Sequence, residues 1–80
     1  MFYVYVLQSI KDDSQYIGLS QDPAKRLKEH NQGDSKYTKG HRPYKLIYQE
    51  FCETRQEARV KEKFYKSGVG REKLKNIILL

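Results

Sequence analysis

Residues 2 to 8, Phe2-Tyr3-Val4-Tyr5-Val6-Leu7-Gln8, are aromatic or β-branched almost throughout, and such side chains fit a pleated surface. The run therefore predicts a strand. At period 2 it puts Tyr3, Tyr5 and Leu7 on one face and Phe2, Val4 and Val6 on the other, so both faces need cover. The polar cluster Lys11-Asp12-Asp13-Ser14 then turns the chain, and Tyr16-Ile17-Gly18-Leu19 returns as a second short strand. An antiparallel hairpin with a longer loop is expected. Gly18, having no side chain, lets another group come close to the sheet.

Downstream, Asp22-Pro23 supplies an N-cap and a first helical residue, and Ala24 to Asn31 follow as a short helix with Gly33 as its stop. Ala24 and Leu27 are spaced to pack inward, and Arg26 and His30, four apart, share a side. From Gln32 to Pro43 the chain is polar and basic, which reads as a mobile loop. Leu46 to Phe51 is a third strand, and Thr54-Arg55-Gln56-Glu57 has capping-box spacing, so a second helix begins near Arg55. Helical geometry sets Val60 and Phe64 on one side and Ala58, Glu62 and Tyr65 nearly opposite, which makes Glu62 a sheltered acid. After Ser67-Gly68-Val69-Gly70, the tail from Arg71 to Leu80 reads as a third helix with an apolar end. That end suits either the core or a second chain.

Eighty residues make one domain, residues 1 to 80, and seven Tyr with three Phe support a modest core. Cys52 stands alone, so an internal disulfide and a Cys-x-x-Cys zinc site are both excluded. No apolar run approaches the roughly 20 residues that span a bilayer, and the first residues lack a basic leader. The chain reads as cytoplasmic, without a membrane partner. Sixteen Lys and Arg against ten Asp and Glu give a formal net charge of +6, which favours nucleic acid as the partner, although lysine also serves solubility.

Several residues could carry chemistry, each with a plainer reading beside it. Cys52 on the third strand reads as a small core residue. His30 and His41 are too isolated for a clustered metal site, whereas a hard cation held by one carboxylate, water and phosphate oxygens stays open. Tyr5 and Tyr16 can share one face of the hairpin, or simply pack there. Arg26 and His30 offer a guanidinium fork for phosphate and an imidazole that titrates near neutrality, or else form a solvated face. Glu62 is a sheltered acid, or an ion-pair partner for Lys61, Lys63 or Lys66.

In order, the chain gives Tyr3-Val4-Tyr5, then Tyr16-Ile17-Gly18, Arg26, His30-Asn31, Pro43 and Glu57-Ala58 followed by Glu62. This series resembles the GIY-YIG nuclease family across roughly residues 2 to 78. Tyr16-Ile17-Gly18 matches the second half of the family name letter for letter, whereas the first half reads Tyr-Val-Tyr in place of Gly-Ile-Tyr. That variation is similar to the small stand-alone branch of the family, which resembles the N-terminal nuclease domain of the DNA-repair excinuclease.

The resemblance implies an α+β fold with a central three-stranded antiparallel sheet flanked by helices. It also implies a metal-dependent DNA endonuclease with a role in repair or recombination. Carried over by position, Tyr5 and Tyr16 are the active-site tyrosines, Arg26 binds phosphate, His30 is the polar residue one turn on, and Glu62 holds Mg²⁺ or Mn²⁺. Asn76 is a candidate without an assigned role. Arg26 and a metal would lower the pKa of a tyrosine enough for it to act as base, with Tyr5 favoured over Tyr16 or His30. Lys36, Lys39 and Arg42 are expected phosphate contacts. A chain this short leaves no room for a separate DNA-binding domain, so a targeting protein is an expected partner. The competing readings are a nucleic-acid-binding module with little nuclease activity and a basic protein-interaction domain. Duplex, branched or single-stranded DNA, or RNA, would all satisfy the pattern.

Overall fold

The computed structural model describes every residue except Asp34, Ser35 and Leu80, with backbone alone at Tyr37 and Leu79. Three strands, β1 (Phe2–Ser9), β2 (Gln15–Ser20) and β3 (Tyr44–Cys52), form one antiparallel sheet in the order β2-β1-β3. The strand with two apolar faces therefore takes the centre. Val4, Val6 and Leu7 on β1 are completely buried, and each contributes roughly 1.5–3 kcal/mol. Helices α1 (Pro23–Asn31), α2 (Lys36–Lys39), α3 (Arg55–Lys66) and α4 (Gly68–Leu79) complete the α+β architecture.

The two faces carry separate cores. Val4, Val6 and Ile17 pack with Cys52, Ala58, Tyr65 and Leu74 under α3 and α4, while Tyr5 and Leu7 pack with Tyr44, Tyr16 and Leu27 beneath α1. β3 serves both because its register against β1 shifts between Val6, opposite Tyr48, and Leu7, opposite Leu46. The extra residue, Ile47, sends Leu46 to one core and Tyr48 to the other, as a bulge does. Cys52 is completely buried, and that burial pushes its thiol up, so it is a core residue.

Local signals set most element ends. The Asp22 side chain accepts from Lys25 N at 3.2 Å ahead of Pro23, and the chain turns out of α1 at Gly33, whose φ is 85°. Ala24, expected inside, is exposed; Pro23 and His30 take the buried positions. Thr54 Oγ1 caps α3 by accepting from Glu57 N at 3.1 Å, but the returning bond from Glu57 goes to Glu53 N, one residue earlier than a capping box requires. Val60 and Phe64 are the outward side of α3. The last helix starts three residues before Arg71, because Ser67 caps it through Gly70 N at 3.1 Å. A Cβ on Gly70 would lie 1.7 Å from the Phe64 carbonyl oxygen, so only glycine lets α4 fold this tightly onto the end of α3. Ile78 joins the α3-side core; Leu80 and the Leu79 side chain lie outside the described residues.

The basic stretch expected as a mobile loop instead holds α2 and is tied down beyond it. The Ser9 hydroxyl donates to the His41 carbonyl at 2.5 Å, Ile10 N to the Pro43 carbonyl at 2.8 Å, and His41 Nδ1 lies 2.6 Å from Asp12 Oδ2. The Asn31 side chain brackets Tyr44, accepting from its N–H at 2.6 Å and donating to its carbonyl at 3.1 Å. Side-chain bonds of this kind satisfy backbone groups that no sheet or helix serves.

Candidate active site

β1, β2 and α1 meet around one phenol. Tyr5 pairs directly with Gly18 across the hairpin, and Tyr16 pairs with Leu7, so the two tyrosines are diagonal neighbours on one face, ring centroids 6.3 Å apart. A Cβ on Gly18 would stand 2.7 Å from the Tyr5 hydroxyl oxygen and 3.1 Å from the Tyr16 ring. The close approach expected at Gly18 is thus made by the Tyr5 phenol itself, lying across β2.

α1 delivers the next two groups. His30 is 1% exposed, which corrects the solvated-face reading of that position: its ring lies 4.7 Å from the Tyr16 ring and 6.4 Å from that of Tyr44. Its Nε2 is 3.4 Å from the Tyr5 hydroxyl, and its Nδ1 is 2.7 Å from the Thr38 hydroxyl on α2. When Tyr5 donates to Nε2, the imidazole proton sits on Nδ1 and Thr38 accepts it. Arg26 lies one turn earlier, beside the Tyr5 hydroxyl, with Nη1 2.6 Å from Glu29 Oε1.

Electrostatically the site differs from the expectation. Burial raises the Tyr5 phenol above its ordinary value of 10.0; Arg26 pulls it back, while the neighbouring Tyr16 and the charge of Glu62 push it further up. Its net pKa is therefore raised, not lowered, because desolvation disfavours phenolate more than one guanidinium favours it. Contact with Tyr5 raises Arg26 in turn, against the cost of its own burial.

Glu62 reaches this neighbourhood from α3, and Tyr5 feels its carboxylate. Its side chain is 22% exposed and pairs with Lys66 at 3.5 Å, one of the three lysines named as its plainer partners. Among the described residues no group of three or more His, Cys, Asp or Glu side chains converges. One accessible carboxylate suits a hard cation that keeps most of its shell as water and substrate oxygen. Asn76 is exposed on α4.

Lys36 and Lys39 are exposed on α2, on either side of the Thr38 that holds His30. Arg42 is also exposed, its guanidinium over Gly33 at the end of α1. These three cations gather at the C-terminal end of α1, beside the cluster and not within it. Sequence reasoning missed Thr38, Tyr44 and Glu29. Glu29, three residues from Arg26, was visible as an ion-pair partner by helical spacing. Thr38 and Tyr44 carried no such signal, since a separate helix and a strand bring them in.

A family model described as the GIY-YIG catalytic domain matches residues 1–76. Among curated relatives, a UPF0213 protein of Clostridium perfringens is 44% identical over 78 residues, covering 96% of this chain and 83% of that relative. A UPF0213 protein of Staphylococcus saprophyticus is 42% identical over 76 residues, covering 94% and 92%. The solution NMR structure of a UPF0213 protein from Bacillus halodurans superimposes with a TM-score of 0.58 at 34% identity, covering 96% of this chain and 85% of that one.

Proposed function

This chain belongs to the GIY-YIG family, and from that premise we propose that it is a metal-dependent endonuclease that hydrolyses phosphodiester bonds in DNA. The observation that carries the reading is the meeting of Tyr5, Arg26 and His30 at one point, within reach of the charge on Glu62. Phosphodiester hydrolysis needs a cation on the non-bridging oxygens, an acceptor for the proton of the attacking water and relief for the leaving oxygen. The cluster offers a group for each task.

In this mechanism Arg26 turns from Glu29 to a non-bridging oxygen and holds it most strongly as negative charge builds on the phosphoryl group. Glu62 holds Mg²⁺, or Mn²⁺, which when bound supplies positive charge to the phosphate and the leaving 3′ oxygen. As the water oxygen bonds to phosphorus and the bond to the 3′ oxygen breaks, Tyr5 takes the water's proton and passes its own hydroxyl proton to His30 Nε2. Thr38 keeps the Nδ1 proton in place. Tyr5 then never becomes a full phenolate, so its raised pKa does not oppose the step. The 3.4 Å gap to Nε2 is one that substrate binding closes. Tyr16 packs against His30 and fixes its plane. Lys36, Lys39 and Arg42 serve as phosphate contacts on the α2 side.

The reading extends to a single cytoplasmic domain that works in DNA repair or recombination, with a separate protein supplying the target. Among the described residues, no helix is long and apolar enough to cross a membrane. A second reading, a nucleic-acid-binding module of the same fold, is favoured by the Arg26–Glu29 pair, which occupies the guanidinium. Titrating Mg²⁺ and Mn²⁺ into the protein with plasmid and branched duplex DNA separates the two. Metal-dependent cleavage that falls at least about a hundredfold in Glu62→Ala is expected. Tight binding without turnover at any metal concentration would leave the module, and no binding at low salt would remove both.

A further inference from the structure

The outer edge of β2 is open in the sheet order β2-β1-β3, and beside it lies a hollow of ≈ 350 Å³ lined by Gln15, Tyr16, Ile17, Lys66 and Arg71. Two of the five lining residues are cations and none is an acid. Lys66 comes from the last turn of α3 and Arg71 from the first turns of α4, and they face one hollow because Gly70 lets the second helix fold directly onto the first. Lys66 also neutralises Glu62, the nearest carboxylate to which the structure ties it. Tyr16 borders the hollow on one side and stacks toward His30 on the other, so the hollow adjoins the active site without being part of it.

We propose that this hollow is a second phosphate site, in which Lys66 and Arg71 hold the backbone phosphate next to the one gripped by Arg26. The assignment rests on the nuclease reading for its ligand and adds the path of the strand, which leaves the active site along the edge of β2. Arg71 presents a fork of donors that matches two phosphate oxygens, Lys66 adds a point charge, and the Gln15 amide adds a neutral donor. With Lys36, Lys39 and Arg42 on the α2 side, the strand is held on both flanks of the phosphate to be cut.

The test measures binding of the full chain to a fluorescent duplex oligonucleotide in metal-free buffer, between about 50 and 200 mM salt. Lys66→Gln and Arg71→Gln should each lower the slope of log binding constant against log salt by about 0.9, and the double variant by about 1.8. Arg71 is exposed, so its variant stays folded even if Lys66→Gln does not, and amide spectra check both. One methylphosphonate placed beside the cut position should weaken wild-type binding and leave the double variant unaffected. An unchanged slope in Arg71→Gln, with wild type still binding and cutting, overturns this site and leaves the nuclease reading intact. Amide shifts at Lys66 and Arg71 on adding inorganic phosphate, together with an unchanged DNA slope, would make the hollow a free-anion site and overturn it as well. Wild type that binds no duplex at low salt brings down both.

Discussion

Two tyrosine clusters sit back to back on this sheet, and their partners set them apart. On the α3 side the Tyr48 and Tyr65 hydroxyls both donate to Glu50 Oε1, at 2.8 and 2.6 Å, and Lys61 pairs with the other carboxylate oxygen. Burial and that carboxylate both raise these phenols, Tyr65 far above its ordinary range. Each proton there is fixed, and the network clamps β3 to α3. On the α1 side Tyr5 is as buried as Tyr65, at 1% against 4% exposed, but it faces an imidazole and a guanidinium. An imidazole can take a proton and a guanidinium can accept a phosphate, so a buried phenol there belongs to a reaction. Neither burial nor residue type distinguishes a clamp from a site; the partner does.

The contrast breaks most visibly at Arg26. Arg26→Ala should lower DNA cleavage at least about a hundredfold. Its stability by urea denaturation should change by no more than about 0.5 kcal/mol, because the side chain is 40% exposed. Loss of fold in that variant, or cleavage at the wild-type rate, would erase the distinction between the faces. The opposite pattern is expected at Glu50. Glu50→Ala leaves two phenols and a lysine without their shared acceptor and should destabilise by about 1–3 kcal/mol, with cleavage per folded molecule near wild type. A urea midpoint that does not move would mean that the network is ornamental.

The smallest effect concerns pH. Burial alone would raise the Glu50 carboxyl, but Lys61 and the Tyr65 and Tyr48 hydroxyls outweigh it and hold it below its ordinary value of 4.5. A depressed folded pKa contributes stability that is present above the unfolded value of about 4.3 and is lost as the pH falls through the lower folded value. Thermal melts across that acid window should therefore fall more steeply for wild type than for Glu50→Gln. Parallel curves would assign the acid sensitivity to other carboxylates.

How far the sequence reached depends on the range of each interaction. The hairpin, its two faces, the cap at Thr54 and the bare position at Gly18 are written in residues a few places apart, where periodicity and turn chemistry act. The side-by-side placing of Tyr5 and Tyr16 follows from the same alternation. Thr38 reaches His30 only because a short helix returns it, and Glu50 meets Tyr65 only after two elements dock, so spacing carries neither. The rise in the Tyr5 pKa was hidden for a related reason: it measures how much surrounding chain excludes water, which no run of letters displays. Gly70 was visible as a break and turned out to be a joint, since a glycine can serve either purpose until its neighbour is known.

The Tyr5 phenol occupies the volume that a methyl group at position 18 would need. These two residues accordingly fill a single berth, and neither can be replaced without evicting or stranding the other. A lineage that gained a side chain at 18 would surrender the hydroxyl's seat above β2 at the same stroke. Glycine persists there as the complement of its neighbour's bulk, and the pair passes from ancestor to descendant as one character.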